Sequence, residues 1–205
     1  MKKIYFVTTN EKKIEESRYR LDRFVERIQT DKGVRLGIEI CAIRKELDDL
    51  LDPDVEKIVK KKALDAYRIV LQPCVVEHGG LFLDAWRAAP ERPGLLGGIG
   101  QVVWESVGDR LCGFLRDEDA REATAQSVLG YCDGRRIHVY SGVTKGEVTD
   151  RARGSGGFRW DPIFKPTGSE LTYGEMAPEK KRETSPEEKA WELFLRAVTK
   201  EFRKL

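Results

Sequence analysis

Cys74-Val75-Val76-Glu77-His78-Gly79-Gly80-Leu81-Phe82-Leu83-Asp84 starts as the apolar run of a buried strand and then carries an acid, an imidazole and two glycines. A buried strand needs only apolar residues. A carboxylate and a histidine where the run ends, followed by glycines that let a ligand approach the backbone, therefore point to a pocket at the mouth of a strand. The same stretch also suits a charged hairpin turn, because Gly-Gly is a common loop pair. The surrounding segments bear on the choice.

Upstream, Ile4-Tyr5-Phe6-Val7 gives way to Thr8-Thr9-Asn10-Glu11-Lys12-Lys13, and apolar residues then recur at Ile14, Leu21, Phe24, Val25 and Ile28. This spacing predicts strand, polar loop and helix. Thr9 or Asn10 can cap the helix, whose first turn offers unpaired N–H groups and a favourable dipole to a phosphate, with Lys13 in reach of the same anion. A plain capped helix with a solvated lysine fits equally, and no Gly-rich phosphate loop is present. Residues 34–43 alternate (Val34, Leu36, Ile38, Ile40, Ala42) as a half-exposed strand does. Glu46-Leu47-Asp48-Asp49-Leu50-Leu51-Asp52-Pro53-Asp54 then carries five carboxylates. Pro53 suits the first turn of a helix running to about Val70, so the acids serve either that helix start or a hard cation.

Downstream, two prolines and four glycines in residues 90–100 predict a loop or broken helix start over the pocket, with a helix following to about Arg116. Residues 124–131 and 136–140 predict two strands joined by a tight turn at Asp133-Gly134, with His138 a ribbon side chain. Arg153-Gly154-Ser155-Gly156-Gly157-Phe158-Arg159-Trp160-Asp161-Pro162-Ile163-Phe164 combines free backbone, flat aromatic faces and an acceptor, a set able to stack and hydrogen-bond a nucleobase. Pro186 opens a last helix with Ala190, Leu193, Phe194, Ala197, Val198 and Phe202 on one face.

Composition narrows the function classes. The chain has 205 residues, 40% apolar and 35% charged, and its 37 basic and 35 acidic residues interleave, which gives no polyanion-binding face and no support for nucleic-acid binding. The first apolar run is too short for a signal peptide or membrane span, so a cytoplasmic protein without membrane association is expected. Cys41, Cys74, Cys112 and Cys132 are widely separated, as reduced and mostly buried thiols are. Without repeats or a linker, residues 1–205 are expected to form one domain with two lobes.

Taken in order, residues 8–13, 75–81, Gly130-Tyr131-Cys132-Asp133-Gly134, 153–164 and Thr172-Tyr173-Gly174-Glu175-Met176 resemble the Ham1 family over nearly the whole chain. These are inosine/xanthosine triphosphate pyrophosphatases. The resemblance implies an elongated, two-lobed α/β fold with a long mixed β-sheet and a central nucleotide cleft. It also implies a homodimer that uses Mg²⁺ to hydrolyse a nucleoside triphosphate to monophosphate and pyrophosphate. Carried over by position, Thr8, Thr9, Asn10 and Lys13 resemble the triphosphate loop, with Gly79 at the strand mouth. Phe158, Trp160 and Asp161 resemble the base-binding segment, Lys181 the second nucleotide lysine, and Asp49 (with Asp48 as substitute) the metal-binding acid.

Three departures shift the expectation. Where the family has a carboxylate, then aspartate, Ser or Thr, and Gly, this chain has Glu77-His78-Gly79-Gly80, so Asp49 and Glu77 are expected to hold Mg²⁺ while His78 handles the proton. Where the family has Ser-His-Arg, this chain has Ser185-Pro186-Glu187. An ionised Glu187 facing the base favours an amino-bearing or modified base over inosine and xanthosine, whereas a surface helix start leaves it no such role. Arg159 replaces a glycine and can stack on the base, reach a phosphate or close the pocket. The leading expectation is a divergent nucleoside triphosphate pyrophosphohydrolase, His78 and Glu77 being its catalytic pair. The alternatives are a nucleotide-binding homologue with impaired catalysis, acting as sensor or partner subunit, and a hydrolase of a specialised nucleotide pathway.

Overall fold

The apolar residues 4–7 lie within β1 (Lys2–Val7), and the polar loop after them leads into α1 (Glu11–Lys32), as their spacing predicts. The computed structural model describes residues 2–32, 38–89 and 94–202. The expected strand positions Val34 and Leu36, and residues 90–93 of the expected loop, lie outside the described residues. The chain continues through β2 (Ile38–Ile43), α2 (Val55–Val70), β3 (Cys74–Leu83), β4 (Leu95–Gly97) and α3 (Gly100–Val107). β5 (Glu122–Cys132), β6 (Ile137–Val148), β7 (Phe164–Pro166), α4 (Pro178–Thr184) and α5 (Pro186–Phe202) complete it. The seven strands form one mixed sheet in the order β2-β1-β3-β5-β6-β7, with β4 also on β3.

Strand alternation sorts the core onto the two faces of that sheet. Phe6, Val75 and Leu129 meet Phe24 of α1 and Trp191, Phe194 and Val198 of α5 on one face. Val7, Val76 and Val128 meet Val59, Ala63 and Ala66 of α2 on the other. Trp191 packs edge-on to Phe6, with ring centroids 5.3 Å apart. Burying each such ring contributes about 2–3 kcal/mol. A third apolar cluster, around Leu81, Leu111, Phe164 and Tyr173, fills the far end of the sheet.

Several boundaries differ from expectation for identifiable reasons. Gly79 and Gly80 are neither a turn nor a strand end; they lie inside β3, paired with Ser127 and Gln126 of β5. A Cβ on Gly80 would come within 2.7 Å of Val55 and 2.9 Å of the Gly97 carbonyl, so close packing, and not chain reversal, requires this glycine. The helix expected to about Arg116 ends at Val107, where Gly108 takes φ +58°, and a 3₁₀ turn (Gly108–Phe114) follows. β6 extends past Tyr140 to Val148 because it pairs with β5 along its length. The hairpin turn at Asp133-Gly134 is present, with Gly134 at φ +97° and Asp133 accepting from the N–H groups of Arg135 and Arg136. His138 bonds Asp133 on the ribbon. α5 buries Trp191 and Leu195 and exposes Leu193, a face rotated from the one expected. All four cysteines are free, and burial pushes the Cys74 thiol up to about 12, which leaves it unreactive. Among the described residues no helix is long and apolar enough to cross a membrane.

Candidate active site

β3 changes its neighbour partway along one edge. Cys74 and Val75 pair with β1, residues 81–83 pair with β4, and among the described residues 76–80 have no ladder partner on that side. β1 has stopped there, and the chain turns through Thr8-Thr9-Asn10 into α1. A cavity of about 160 Å³ opens over the gap, lined among others by Thr8, Thr9, Asn10, Lys13, Asp49, Lys62, Glu77, His78, Gly79 and Arg159. A second cavity, of about 140 Å³, is lined among others by Phe158, Tyr173, Met176, Lys181, Ser185 and Glu187. The two share Asn10, Lys13 and Glu77 as a common wall.

The first cavity brings a helix start and both signs of charge together. Asn10 Oδ1 caps α1 by accepting from the Lys13 N–H at 3.1 Å, and Thr8 Oγ1 accepts from the Asn10 N–H at 3.1 Å. The start of a 22-residue helix therefore faces the cleft. Lys13, Lys45, Lys62 and Arg159 add four cations, set against the three carboxylates of Glu46, Asp49 and Glu77 in the same lining. Arg159 sits at φ +51°, an uncommon backbone state for a branched-free but bulky side chain and one that glycine adopts without strain. Its guanidinium stacks 4.4 Å from the Phe158 ring centroid while lining the phosphate-sized cavity.

Adjacent strand positions send Glu77 and His78 to opposite faces of the sheet. Glu77 Oε1 pairs with Lys13 Nζ at 3.1 Å, and Oε2 accepts from the Trp191 indole N–H at 3.0 Å. Burial opposes its charge, but Lys13, then Arg20 and the indole, outweigh it and hold the carboxyl below its usual range. His78 points towards α2. Its Nε2 lies 2.9 Å from the Gly98 carbonyl, which only accepts, so Nε2 carries the proton and Nδ1 an unshared pair. Nδ1 is 3.8 Å from Asp49 Oδ1, and Asp49 in turn holds Lys62 Nζ at 2.6 Å.

Burial drives the His78 pKa down to about 4 from 6.5. The unfolded chain therefore takes up this proton first as the pH falls. The stability due to the neutral ring is whole above about pH 6.5 and is lost towards pH 4, by about 3 kcal/mol. Urea midpoints of metal-free protein should fall across this window, and His78→Gln should flatten the fall. An unchanged slope in that variant would remove the assignment.

Behind the second cavity Asp161 Oδ2 accepts from Lys181 Nζ at 2.6 Å and from the Phe158 N–H. Burial works against the Lys181 charge, but Glu187 and Asp161 outweigh it and hold its pKa above the usual lysine value. Glu187 lines the cavity, with Oε2 accepting from Ser185 Oγ at 2.9 Å. A Cβ on Gly157, at φ +85°, would fall 2.2 Å from Asp161 Oδ2, so the loop needs glycine there.

Of the residues singled out in the sequence, Thr8, Thr9, Asn10, Lys13, Asp49, Glu77, His78, Gly79 and Arg159 meet at one cavity, and Phe158, Lys181, Ser185 and Glu187 at the other. Asp161 is buried behind the second, oriented towards Lys181. Trp160 turns away to the far apolar cluster and packs over Gly79 and Gly100. Among the acids, Asp54 caps α2 and Asp52 supports it, while Asp49 and Glu46 line the cleft. Lys62, Lys45 and Trp191 were not anticipated. Lys62 is four residues from both Ile58 and Ala66, on the margin of the buried face of α2, which is the signal a helical-spacing count offers.

The Ham1 family model matches residues 4–197. The dITP/XTP pyrophosphatase of Methanopyrus kandleri is 30% identical over 194 residues, covering 94% of each chain. That of Pyrococcus horikoshii is 30% identical over 193 residues, again 94% of each. A HAM1 protein structure from Coxiella burnetii superposes with a TM-score of 0.71 at 21% identity, covering 98% of this chain and 100% of the other. A Mycobacterium abscessus structure described as a nucleoside-triphosphatase / dITP/XTP pyrophosphatase gives 0.69 at 24% identity, with 94% and 97% covered. At these identities the structures attest the fold.

Proposed function

The chain belongs to the Ham1 family, and from that premise we propose that it is a nucleoside triphosphate pyrophosphohydrolase, releasing pyrophosphate and a nucleoside monophosphate. The observation that carries this reading is the pair of cavities joined at Asn10, Lys13 and Glu77. One end offers a helix start and four cations for a triphosphate; the other offers an aromatic ring, a lysine and a carboxylate for a base. Thr8, Thr9, Asn10, Lys13, Gly79 and Arg159 take the phosphates in this reading, while Phe158, Lys181, Ser185 and Glu187 take the base. Asp161 orients Lys181 and the Phe158 N–H, and Trp160 supports Gly79 from behind.

Hydrolysis needs a cation to gather phosphate charge and an oriented water. The Mg²⁺ reading pairs Asp49 with Glu77. Both Glu77 oxygens are engaged, on the opposite face of the sheet from His78, whereas the group beside Asp49 is the His78 imidazole. Among the described residues no three acid, imidazole or thiol groups converge. The set fits a divalent cation that arrives with the phosphates, and fits an oxygen-only magnesium site poorly. His78 Nδ1 and Asp49, whose Oδ1 also holds Lys62 Nζ, face each other on this floor, and the reading assigns the attacking water to that place. A pKa near 4 makes Nδ1 a weak proton acceptor at neutral pH.

Incubation with a panel of triphosphates, separately with Mg²⁺ and Mn²⁺, tests the activity. Pyrophosphate release supports it, orthophosphate alone indicates another hydrolase, and binding without turnover supports the impaired homologue. Within the panel an amino-bearing or modified base is expected to be preferred, since Glu187 accepts and does not donate. Glu187→Gln should reduce that preference about tenfold by restoring a donor; an unchanged ratio would place Glu187 outside base selection. The reading includes a cytoplasmic homodimer, which light scattering at a monomer mass would remove.

A further inference from the structure

Arg159 is held in place against three unfavourable effects. Its backbone takes φ +51°, a state that glycine reaches without strain, and its side chain is only 19% exposed. Burial works against the charge and lowers the pKa from the usual arginine value, although Glu105 and Asp49 act in the other direction. A guanidinium carries five donors, yet among the described residues this one makes no hydrogen bond. Its ion-pair partner, Glu105 Oε1, lies 3.8 Å away on a side chain that is 62% exposed. What fixes the group is the Phe158 ring, whose centroid is 4.4 Å from the guanidinium carbon, while the side chain lines the phosphate cavity. In the same cavity Lys13 already holds Glu77 at 3.1 Å and Lys62 holds Asp49 at 2.6 Å. A stacked cation with its donors open is set for the oxygens of a ligand.

Phe158 lines the base cavity and the next residue, Arg159, the phosphate cavity, so the guanidinium stands at the boundary between the two ends of the cleft. In a nucleoside triphosphate the α-phosphate is the one beside the nucleoside, which brings the α–β bridge to that boundary. We propose that Arg159 is a further catalytic residue, its guanidinium stabilising the charge that develops on the α–β bridging oxygen as pyrophosphate leaves. This rests on the pyrophosphohydrolase reading. In the step, a water oxygen bonds to the α-phosphorus, the bond from that phosphorus to the bridging oxygen breaks, and the electron pair stays on the departing pyrophosphate. One proton of the water passes to solvent. The bridging oxygen is more negative at the transition state than in the bound triphosphate, so a cation fixed there lowers the barrier more than it tightens binding.

Arg159→Gly is the informative variant, because glycine takes φ +51° freely; its Tm should equal or exceed that of the parent. With the triphosphate that the parent cleaves best, kcat for pyrophosphate release should fall at least about a hundredfold while KM stays within about threefold. Millimolar guanidinium chloride, entering the space the side chain vacated, should raise the variant's kcat at least about tenfold, and urea at the same concentration should not. Unchanged kcat with a raised KM makes Arg159 a ground-state phosphate anchor and overturns the proposal. So does a lowered kcat on which guanidinium and urea act alike, or a change confined to the ranking of bases. An active parent whose Arg159→Gly form turns over normally refutes the role of Arg159 and leaves the activity standing. A parent that releases pyrophosphate from no triphosphate refutes the pyrophosphohydrolase reading itself, and the proposal with it.

Discussion

Alanine in place of His78 is expected to reduce kcat/KM for triphosphate cleavage by about three orders of magnitude, within the range for losing one group at the reacting centre. The substitution removes the nitrogen that faces Asp49 and frees the Gly98 carbonyl, while the phosphate loop and the second cavity keep their residues. Triphosphate binding should accordingly persist when turnover is lost. The buried ring also contributes packing, so some stability, about 2 kcal/mol, goes with it. Circular dichroism and a binding measurement on the same preparation separate the two effects. Turnover within threefold of the parent would remove His78 from the reaction.

The second large effect is structural. Gly142 lies in β6 directly beneath the start of α5, and a Cβ built there falls 2.0 Å from the Pro186 carbonyl and 2.7 Å from the Ala190 nitrogen. Both contacts are backbone, so no side chain can swing aside. Gly142→Val must lift α5 from the sheet, at a cost of about 3 kcal/mol or more. For a chain of this size that lowers Tm by about 10 °C. The helix carries Glu187 and Trp191, so base selection and the Glu77 contact are lost with the stability. Gly113, where an added Cβ meets nothing within 4 Å, provides the comparison. Gly113→Ala should leave Tm nearly unchanged, and a Gly142→Val chain equally stable would show that α5 packs elsewhere.

Much of this arrangement was legible in the sequence because it depends on local rules. The polar loop before α1, the Asp133-Gly134 turn and the Pro186 helix start each follow from propensity and capping, and each is present. The glycine pair after His78 was not legible, because what demands a glycine at position 80 is the approach of Val55 and Gly97 from distant parts of the chain. Lys62 was hidden for a related reason: within Lys60-Lys61-Lys62 only geometry distinguishes the lysine that reaches Asp49 from those that face solvent. Glu77 and His78 are adjacent letters, and treating them as one constellation overlooks the alternation that sends them to different faces. Trp160 looked like a base platform by composition, but tertiary packing recruits it to the far core.

The indole of Trp191 donates to Glu77 on their shared face of the sheet, and Glu77 pairs with Lys13. The helix of residues 186–202 thus braces a lysine of the first helix through one shared, buried carboxylate. Trp191→Phe would leave Glu77 Oε2 without its indole donor and slacken the aim of Lys13 from the far end of the chain, with every side chain of the cleft still in place.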